Sequence, residues 1–385
     1  MEKNIDCINT NISLLVLQST PYCNINCKYC YLADRDNKSI MSLEVLEKIC
    51  VELKESELYG DHLSLVWHAG EPLTVPISYY KKAFEILYKY FSDISIRSNF
   101  QTNGILINND WCDFINEYNI KIGISIDGPD FLHDLNRLTM NNKPTHKAIM
   151  KNIQLLHKKA IDFHVITVLS KDSLKYPEEI YNFYLENNIK HVGFNIEEEE
   201  GTNLASSLSK VARRDIDCFY RQIWILNKNN NFLIKFREFD DAIDIINQCQ
   251  YLTTEDKILN KNISSLIRPY GILSFDYLGN YSTFSPELLG STTKRYENFI
   301  FGNIFENPLS TMLKNKNFQQ VFSEIVEGVN ECALTCEYFP LCGGGAPSNK
   351  IFENNTFAST QTMYCNFSLK APLDLCLELL NEEET

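Results

Sequence analysis

Six short apolar runs recur through the first half of the chain, at 12–17, 63–67, 94–100, 120–126, 163–169 and 191–196. Between and after them lie segments with helical spacing of apolar positions, at 42–56, 78–91, 109–118, 145–160, 177–187 and 207–228. Six alternations of strand and helix predict parallel strands joined by right-handed crossovers. Near-continuous apolar strands fit a sheet covered by helices. A full eight-fold barrel takes about 250 residues, and the alternation stops near 228, so six units are expected. The predicted fold class is α/β, a partial (β/α)6 TIM-type barrel over residues 1–230. Asn109 and Thr145 are the expected helix N-caps, whereas Ser42, with Val45 three residues on, carries only half a capping signal.

Beyond 236 the pattern changes. A helix over 236–248 is followed by a hairpin signal, Gly271-Ile-Leu-Ser-Phe and Tyr277-Leu-Gly279-Asn280-Tyr, and by an amphipathic segment at 308–326. These make a bridging region, 231–328, ahead of a small loop-rich domain over 329–385 in which four cysteines are well spaced. So few residues rarely fold alone without a staple.

In such folds chemistry gathers at the carboxyl ends of the strands. The segments found there are Pro21-Tyr22-Cys23, His68-Ala-Gly-Glu-Pro72, Gln101-Thr-Asn-Gly104 and Asp127-Gly-Pro129, so polar and glycine-rich motifs share one edge.

Charge and composition narrow the picture. Lys+Arg 36 against Asp+Glu 50 gives −14, which argues against a broad nucleic-acid footprint. With 23 Phe and 20 Tyr the chain has the apolar surface to fold. It shows neither a signal sequence nor the ~18 apolar residues of a membrane helix. A cytoplasmic protein with no nucleic-acid or membrane partner is therefore expected. Its 13 cysteines are odd in number and too sparse for a disulfide scaffold. In a reducing compartment, clustered thiols read as metal ligands or catalysts. Cys7, Cys50, Cys112, Cys218 and Cys376 sit in apolar contexts and read as core fillers. Cys249 is the upstream cysteine that could add a metal ligand.

Cys23-Asn-Ile-Asn-Cys27-Lys-Tyr-Cys30 places three thiols on one short loop after the first strand. Three ligands leave a 4Fe-4S cluster with one iron open, whereas structural zinc requires a fourth ligand that is not evident nearby. At this point the chain resembles the radical S-adenosylmethionine (SAM) superfamily, whose C-x3-C-x2-C motif has aromatic neighbours, here Tyr29 and Tyr31. His68-Ala-Gly-Glu-Pro72 looks like the Gly-Gly-Glu-Pro motif of that family, with Ala69 for its first glycine. Gln101-Thr-Asn-Gly104 and Ser125-Ile-Asp-Gly-Pro129 resemble its ribose and methionine contacts, and His133-Asp134 with Arg137 its His-Asp-x-x-Arg. The resemblance implies SAM contacts at Tyr29, Gly70, Glu71, Asn103, Ser125, Asp127 and Arg137, with Glu71 accepting from the methionine ammonium. It also implies an external one-electron reductant, reductive cleavage of the C5′–S bond, and hydrogen abstraction by the 5′-deoxyadenosyl radical.

The tail, Cys332-x3-Cys336-x5-Cys342 and then Cys365, resembles the SPASM extension, but part of the usual set is missing. Ala346 stands where one cysteine is usual, and Thr283, Phe284 and Ser285 where another is expected. The four present match the ligands of one auxiliary 4Fe-4S cluster, although four thiolates also suit zinc.

The strings Phe284-Ser-Pro-Glu-Leu-Leu-Gly290, Cys342-Gly-Gly-Gly-Ala-Pro-Ser-Asn-Lys350 and Tyr364-Cys365 look like those of peptide maturases that build cyclophanes in ribosomally made precursor peptides. There an aromatic ring carbon is joined to a Cβ two positions away. Ring closure needs a base, for which Glu287 and Asp127 are candidates. Rival readings are a thioether-forming or formylglycine-generating maturase, and, from another class, a non-catalytic iron–sulfur or zinc scaffold. With 22 residues ahead of Cys23, no separate leader-binding domain is expected before the barrel. The acidic run Glu197–Glu200 follows the sixth strand on the catalytic edge and reads as a solvated loop, with contact to a basic leader as the alternative.

Overall fold

The computed structural model describes residues 11–250 and 264–383. Cys7 lies outside the described residues, as does the side chain of Cys249. Strand β1 (Leu14–Leu17) opens the chain and leads into the cysteine loop, part of which forms β2 (Ile25–Cys27). Helix α1 (Leu43–Ser56) begins where Ser42 Oγ accepts from Val45 N at 3.1 Å, and buries Val45, Leu46, Ile49, Cys50 and Leu53 at i, i+3, i+4 spacing. Then come β3 (His62–Trp67), α2 (Ile77–Tyr90), β4 (Ser95–Thr102), α3 (Asn109–Glu117) and β5 (Lys121–Ser125). After α4 (Asp130–Asn136) and the short β6 (Arg137–Thr139), the alternation resumes with α5 (His146–Lys158), β7 (Phe163–Leu169), α6 (Pro177–Glu186), β8 (His191–Ile196) and α7 (Arg213–Asn229).

The six strands expected from the apolar runs are β1, β3, β4, β5, β7 and β8, and each pairs with the next in parallel. The sheet extends at both edges. Strand β9 (Lys235–Phe236) pairs with β8 and leads into α8 (Arg237–Gln250). The hairpin of β10 (Ile272–Phe275) and β11 (Asn280–Thr283) is continuous with the sheet, since β10 pairs in parallel with β1. A last strand, β12 (Gly302–Asn303), closes the order β12-β11-β10-β1-β3-β4-β5-β7-β8-β9. Among the described residues no pairing joins β9 to β12, so the sheet stays open as a partial barrel.

Two caps differ from expectation. Asn108, one residue before the expected Asn109, caps α3 by accepting from Trp111 N at 3.0 Å. Thr145 stands at the start of α5 but makes no side-chain cap, because its hydroxyl donates to Arg137 O at 2.6 Å. Asp134 Oδ1 takes over, accepting from Thr145 N at 2.8 Å and His146 N at 3.0 Å.

One apolar core runs through the molecule. Edge-on rings join β3, β4 and α2, with Trp67–Tyr80 centroids at 5.1 Å and Tyr80–Phe100 at 4.8 Å. Cys50, Cys112 and Cys376 are buried as expected, but Cys218 is exposed. The buried stripe of α7 is Ile216, Phe219, Tyr220 and Ile223, and position 218 falls between its members.

The tail holds more helix than its spacing suggested. Helix α9 (Lys316–Thr335) is followed by α10 (Phe339–Cys342), α11 (Pro347–Asn354), a π-helical stretch Cys365–Lys370 and α12 (Ala371–Glu383). Ile351, Phe357, Phe367 and Leu373 join the common core, and Arg213 of α7 binds Asp374 at 2.7 Å. Among the described residues no helix is long and apolar enough to cross a membrane.

Candidate active site

The cysteine loop is held from beneath by a two-stranded ribbon. Strand β2 pairs with β6 so that Ile25 faces Thr139 and Cys27 faces Arg137. This register sets Arg137 Nη1 3.9 Å from Cys27 Sγ, while Asn103 Nδ2 lies 3.9 Å from Cys23 Sγ. Cys23, Cys27 and Cys30 are free thiols, and they perturb one another's charge. Burial pushes the Cys27 thiol up to about 11 and Cys23 higher still, with the Glu71 charge adding to the latter. Among the described residues no three His, Cys, Asp or Glu side chains converge tightly enough to hold a single metal ion. Thiolates faced by N–H donors, without a fourth ligand, suit a 4Fe-4S cluster with an open iron.

The turn after β3 packs directly on this loop. Ala69 and Gly70 both adopt left-handed backbone, at φ 65° and 101°. A Cβ on Gly70 would sit 2.1 Å from Thr20 O, so only glycine allows this approach. The next residue, Glu71, is 1% exposed. Its Oε1 accepts from Leu73 N at 2.9 Å and Thr102 Oγ1 at 2.6 Å, and its Oε2 accepts from Asn103 N at 2.7 Å. Burial lifts the carboxyl to about 7 against the pull of these donors. With three of about four acceptor positions used, one remains for an ammonium.

The neighbouring strand ends are tied together. Gln101 Nε2 donates to Ser125 Oγ at 3.0 Å, and Asn103 Nδ2 to Asn24 Oδ1 at 2.7 Å. Asp127, also buried, collects three donors: Tyr29 Oη and Arg137 Nε (3.0 Å) at Oδ2, and Val168 N (3.0 Å) at Oδ1. The Arg137 guanidinium lies 5.3 Å from the Tyr29 ring centroid. His133 accepts from Asp127 N at Nδ1 (3.2 Å), and its Nε2 lies 2.9 Å from Thr145 Oγ1. Since that hydroxyl donates to Arg137 O, Nε2 carries the proton. Burial keeps His133 neutral, with its titration lowered to about 3. The His-Asp-x-x-Arg string therefore works as one brace: His133 and Arg137 fix Asp127, and Asp134 caps α5.

A cavity of 390 Å³ opens over these strand ends. Val16, Val66 and Val168 line its apolar side, and Cys27, Tyr29, Gln101, Ser125 and Arg137 its polar side. His68 also faces it, with Nδ1 unpartnered and the ring kept neutral by burial, its titration lowered to about 4. Gly70, Glu71 and Asn103 line a smaller cavity of 120 Å³, which has Cys27, Cys30, Gln101 and Arg137 in common with the larger one.

The acidic run after β8 is not a solvated loop. Gly201 follows Glu200 with φ 51°, and a Cβ on it would lie 2.2 Å from Tyr31 O. Thr202 N donates to the same carbonyl at 2.9 Å, and Thr202 Oγ1 to Cys30 O at 2.9 Å, fastening the run to the cysteine loop. Glu198 and Glu200 line the cavity together with Glu287, and Asn349 from α11 donates to Glu198 Oε2. Burial raises all three carboxyls, Glu198 to about 7 and Glu200 further, and the Glu287 charge adds to both. Sequence reasoning found Glu287, but it took Glu198 and Glu200 as part of a solvated acidic run and gave Asn349 no role of its own. The available signal was period two: in extended chain, 198 and 200 point the same way.

The tail cysteines also meet. Lys350 Nζ lies 3.4 Å from Cys332 Sγ, and Gly344 N donates to Cys342 Sγ at 3.4 Å. The second contact needs the run Gly343-Gly344-Gly345, all at positive φ. The Cys342 thiol feels Cys336 and Cys332, and Cys365 feels Cys342 and Cys336, so Cys342 neighbours the other three. Burial pushes Cys365 up to about 11, with Lys370 opposing. Where the SPASM pattern expects a further cysteine, Phe284 stacks on Phe318 at 5.9 Å and 11° and on Phe322 at 6.0 Å and 9°. An aromatic stack fills that place.

Comparison with known proteins agrees with this geometry. Residues 17–184 match the Radical SAM superfamily. The uncharacterized protein sll1766 of Synechocystis sp. is 39% identical over 376 residues, spanning 96% of this chain and 92% of that one. The cysteine-type anaerobic sulfatase-maturating enzyme of Clostridium novyi is 26% identical over 361 residues, 90% of this chain and 91% of that one. Among solved structures, native anSMEcpe with bound AdoMet and Cp18Cys peptide superposes with a TM-score of 0.75 over 97% of this chain and 99% of that one, at 21% identity. That likeness establishes the fold.

Proposed function

Residues 17–184 belong to the radical SAM superfamily, and on that premise we propose that the chain is a peptide maturase forming cyclophane crosslinks, aromatic ring carbon to Cβ, in a ribosomally made precursor. It is an enzyme whose cofactors are SAM and 4Fe-4S clusters. Cys23, Cys27 and Cys30 would hold the SAM-binding cluster, and Cys332, Cys336, Cys342 and Cys365 the auxiliary one. When bound, these groups supply a 5′-deoxyadenosyl radical that takes a hydrogen atom from Cβ, and an oxidised iron–sulfur centre that accepts the electron released at ring closure.

The observation that carries the reading is the carboxyl group of three, Glu198, Glu200 and Glu287, on the cavity wall that Cys27 and Cys30 also line. Restoring the aromatic ring after C–C bond formation releases a proton, and a buried carboxylate with a raised pKa is a base poised for that transfer. We assign Glu287 as the acceptor. Asp127 is the other sequence candidate, but its oxygens are engaged by Tyr29, Arg137 and Val168, which suits it to positioning Tyr29 and Arg137. Glu71, Gly70, Asn103 and Ser125 are assigned to SAM.

The similarity to sulfatase-maturating enzymes favours a second reading, oxidation of a Cys or Ser side chain to formylglycine. Tandem mass spectrometry separates the two. The protein, SAM, a one-electron reductant and a peptide with an aromatic residue two positions from an aliphatic one should give a linked product two hydrogens lighter. An unlinked aldehyde, trapped by a hydrazide, would replace the cyclophane reading with the formylglycine one.

A further inference from the structure

A second cavity, of 370 Å³, shares a wall with the first: Asn195, Glu198, Glu200, Pro286 and Glu287 line both. Its other sides come from α8, through Arg237, Glu238 and Asp241, and from the tail, through Ser348 and Asn349. Five of its lining side chains are carboxyls, Glu198, Glu200, Glu238, Asp241 and Glu287, against one cation, Arg237. That cation is already committed. Arg237 Nη2 donates to Phe194 O at 2.8 Å, Asn195 Oδ1 at 2.9 Å and Glu238 Oε1 at 2.6 Å.

Glu238 is used on one side only. Its Oε1 takes Arg237 and Phe194 N (2.9 Å), whereas its Oε2 has no partner although the residue is 6% exposed. Ser285, 2% exposed, likewise has an unpartnered Oγ, as does Ser368, and both line the same cavity. A buried acceptor left unmade costs about 1–3 kcal/mol, so a wall carrying several such atoms fits a ligand rich in donors. The carboxyls set its sign: a cation would favour their ionised form against the effect of burial, whereas an anion would face acceptors rather than donors. No three of the described His, Cys, Asp or Glu side chains converge on a single ion, so a bare metal is a poor match. A polar cation of side-chain size remains.

We propose that this cavity is a subsite for a cationic side chain, a lysine ammonium or an arginine guanidinium, of the peptide whose neighbouring residue occupies the cysteine-lined cavity. The inference rests on the reading of the substrate as a peptide, and deepens it by naming the residue class beside the modified position. Glu198 and Glu287 line both cavities, so the two side chains of one peptide would lie on either side of them.

Fluorescence anisotropy tests it, with fluorescein-labelled nonapeptides of Gly and Ser around one Phe, flanked by Lys, Arg, citrulline or norleucine. Charge-assisted hydrogen bonds in a buried site should make the Lys or Arg peptide bind roughly tenfold or more tightly than the two neutral ones. The stronger of the two assigns ammonium or guanidinium. Glu238→Gln should bring that preference below about twofold, and Ser285→Leu, which fills the cavity without altering charge, should do the same. Equal binding of all four peptides overturns the proposal, and so does a preference that survives in both variants. Release of 5′-deoxyadenosine by the wild-type protein from SAM and a reductant, with no peptide, tests the radical reading separately. Release together with equal peptide binding means that the subsite alone has failed.

Discussion

At the scale of single residues, the turn that carries Glu71 places opposite demands on two adjacent small side chains. Ala69 sits at φ 65°, a region that costs an L-residue roughly 1–2 kcal/mol. Glycine removes that cost but loses more chain entropy on folding, by about 0.5–1 kcal/mol. Ala69→Gly is therefore expected to stabilise the protein by up to ~1 kcal/mol, read as a higher urea midpoint with unchanged slope. Gly70→Ala should act in the other direction by more than ~2 kcal/mol, because its Cβ would meet Thr20 O at 2.1 Å and the loop bearing Cys23 would have to move. Equal midpoints for wild type and both variants would refute this account of the turn. The motif and its alanine were legible in the sequence, as were the cysteines. What the string could not reveal was burial: Glu198 and Glu200 look like surface charge until the fastening of Gly201 and Thr202 to the cysteine loop turns them inward.

At the scale of elements, periodicity carried the long pieces and failed on the short ones. The six main strands were visible from their apolar residues, continuous in β1 but reduced to Ile96 and Phe100 in β4. The ribbon of β2 and β6 was not, since Ile25-Asn-Cys27 and Arg137-Leu-Thr139 are too short and polar to show a period. Nor was the pairing of β10 with β1, because a contact between positions 14 and 272 leaves no local trace. Caps show the same limit. Thr145 has the right chemistry and place, yet its hydroxyl is drawn to Arg137 O and Asp134 caps α5 from eleven residues upstream. Asp134→Ala is expected to cost about 1 kcal/mol, the usual loss of a helix cap. Native-state hydrogen exchange should show it as reduced protection in the first turn of α5, at positions 145–148. Unchanged protection there would mean that Asp134 is dispensable to the helix.

At the scale of the whole molecule, cysteines are gathered in two places that the fold keeps apart in origin: one on the loop between β1 and α1, the other on the tail helices. Each is supported differently. The first loop is held by the β2–β6 ribbon, by the turn at Gly70 and by the Asp127–Arg137 pair. The tail is held by Ile351, Phe357, Phe367 and Leu373 in the common core and by the Arg213–Asp374 and Arg221–Glu378 bridges. Because apolar packing and ion pairs anchor the tail, its thiols are not its sole support. It follows that the two metal sites should load independently. Anaerobically reconstituted wild type should carry about eight iron atoms, two clusters of four. Cys27→Ala and Cys336→Ala should each lower this to about four, and the double variant to near zero. Only Cys27→Ala should lose release of 5′-deoxyadenosine in the absence of peptide, since Cys27 alone of the two lines the cavity with Glu71 and Ser125. Far-ultraviolet circular dichroism of Cys336→Ala should keep the wild-type helix signal, as expected for a tail built on Phe357 and Phe367. Collapse of that signal would make the cysteines the true staple, and about twelve iron atoms in the wild type would require ligands for a third cluster beyond these seven cysteines.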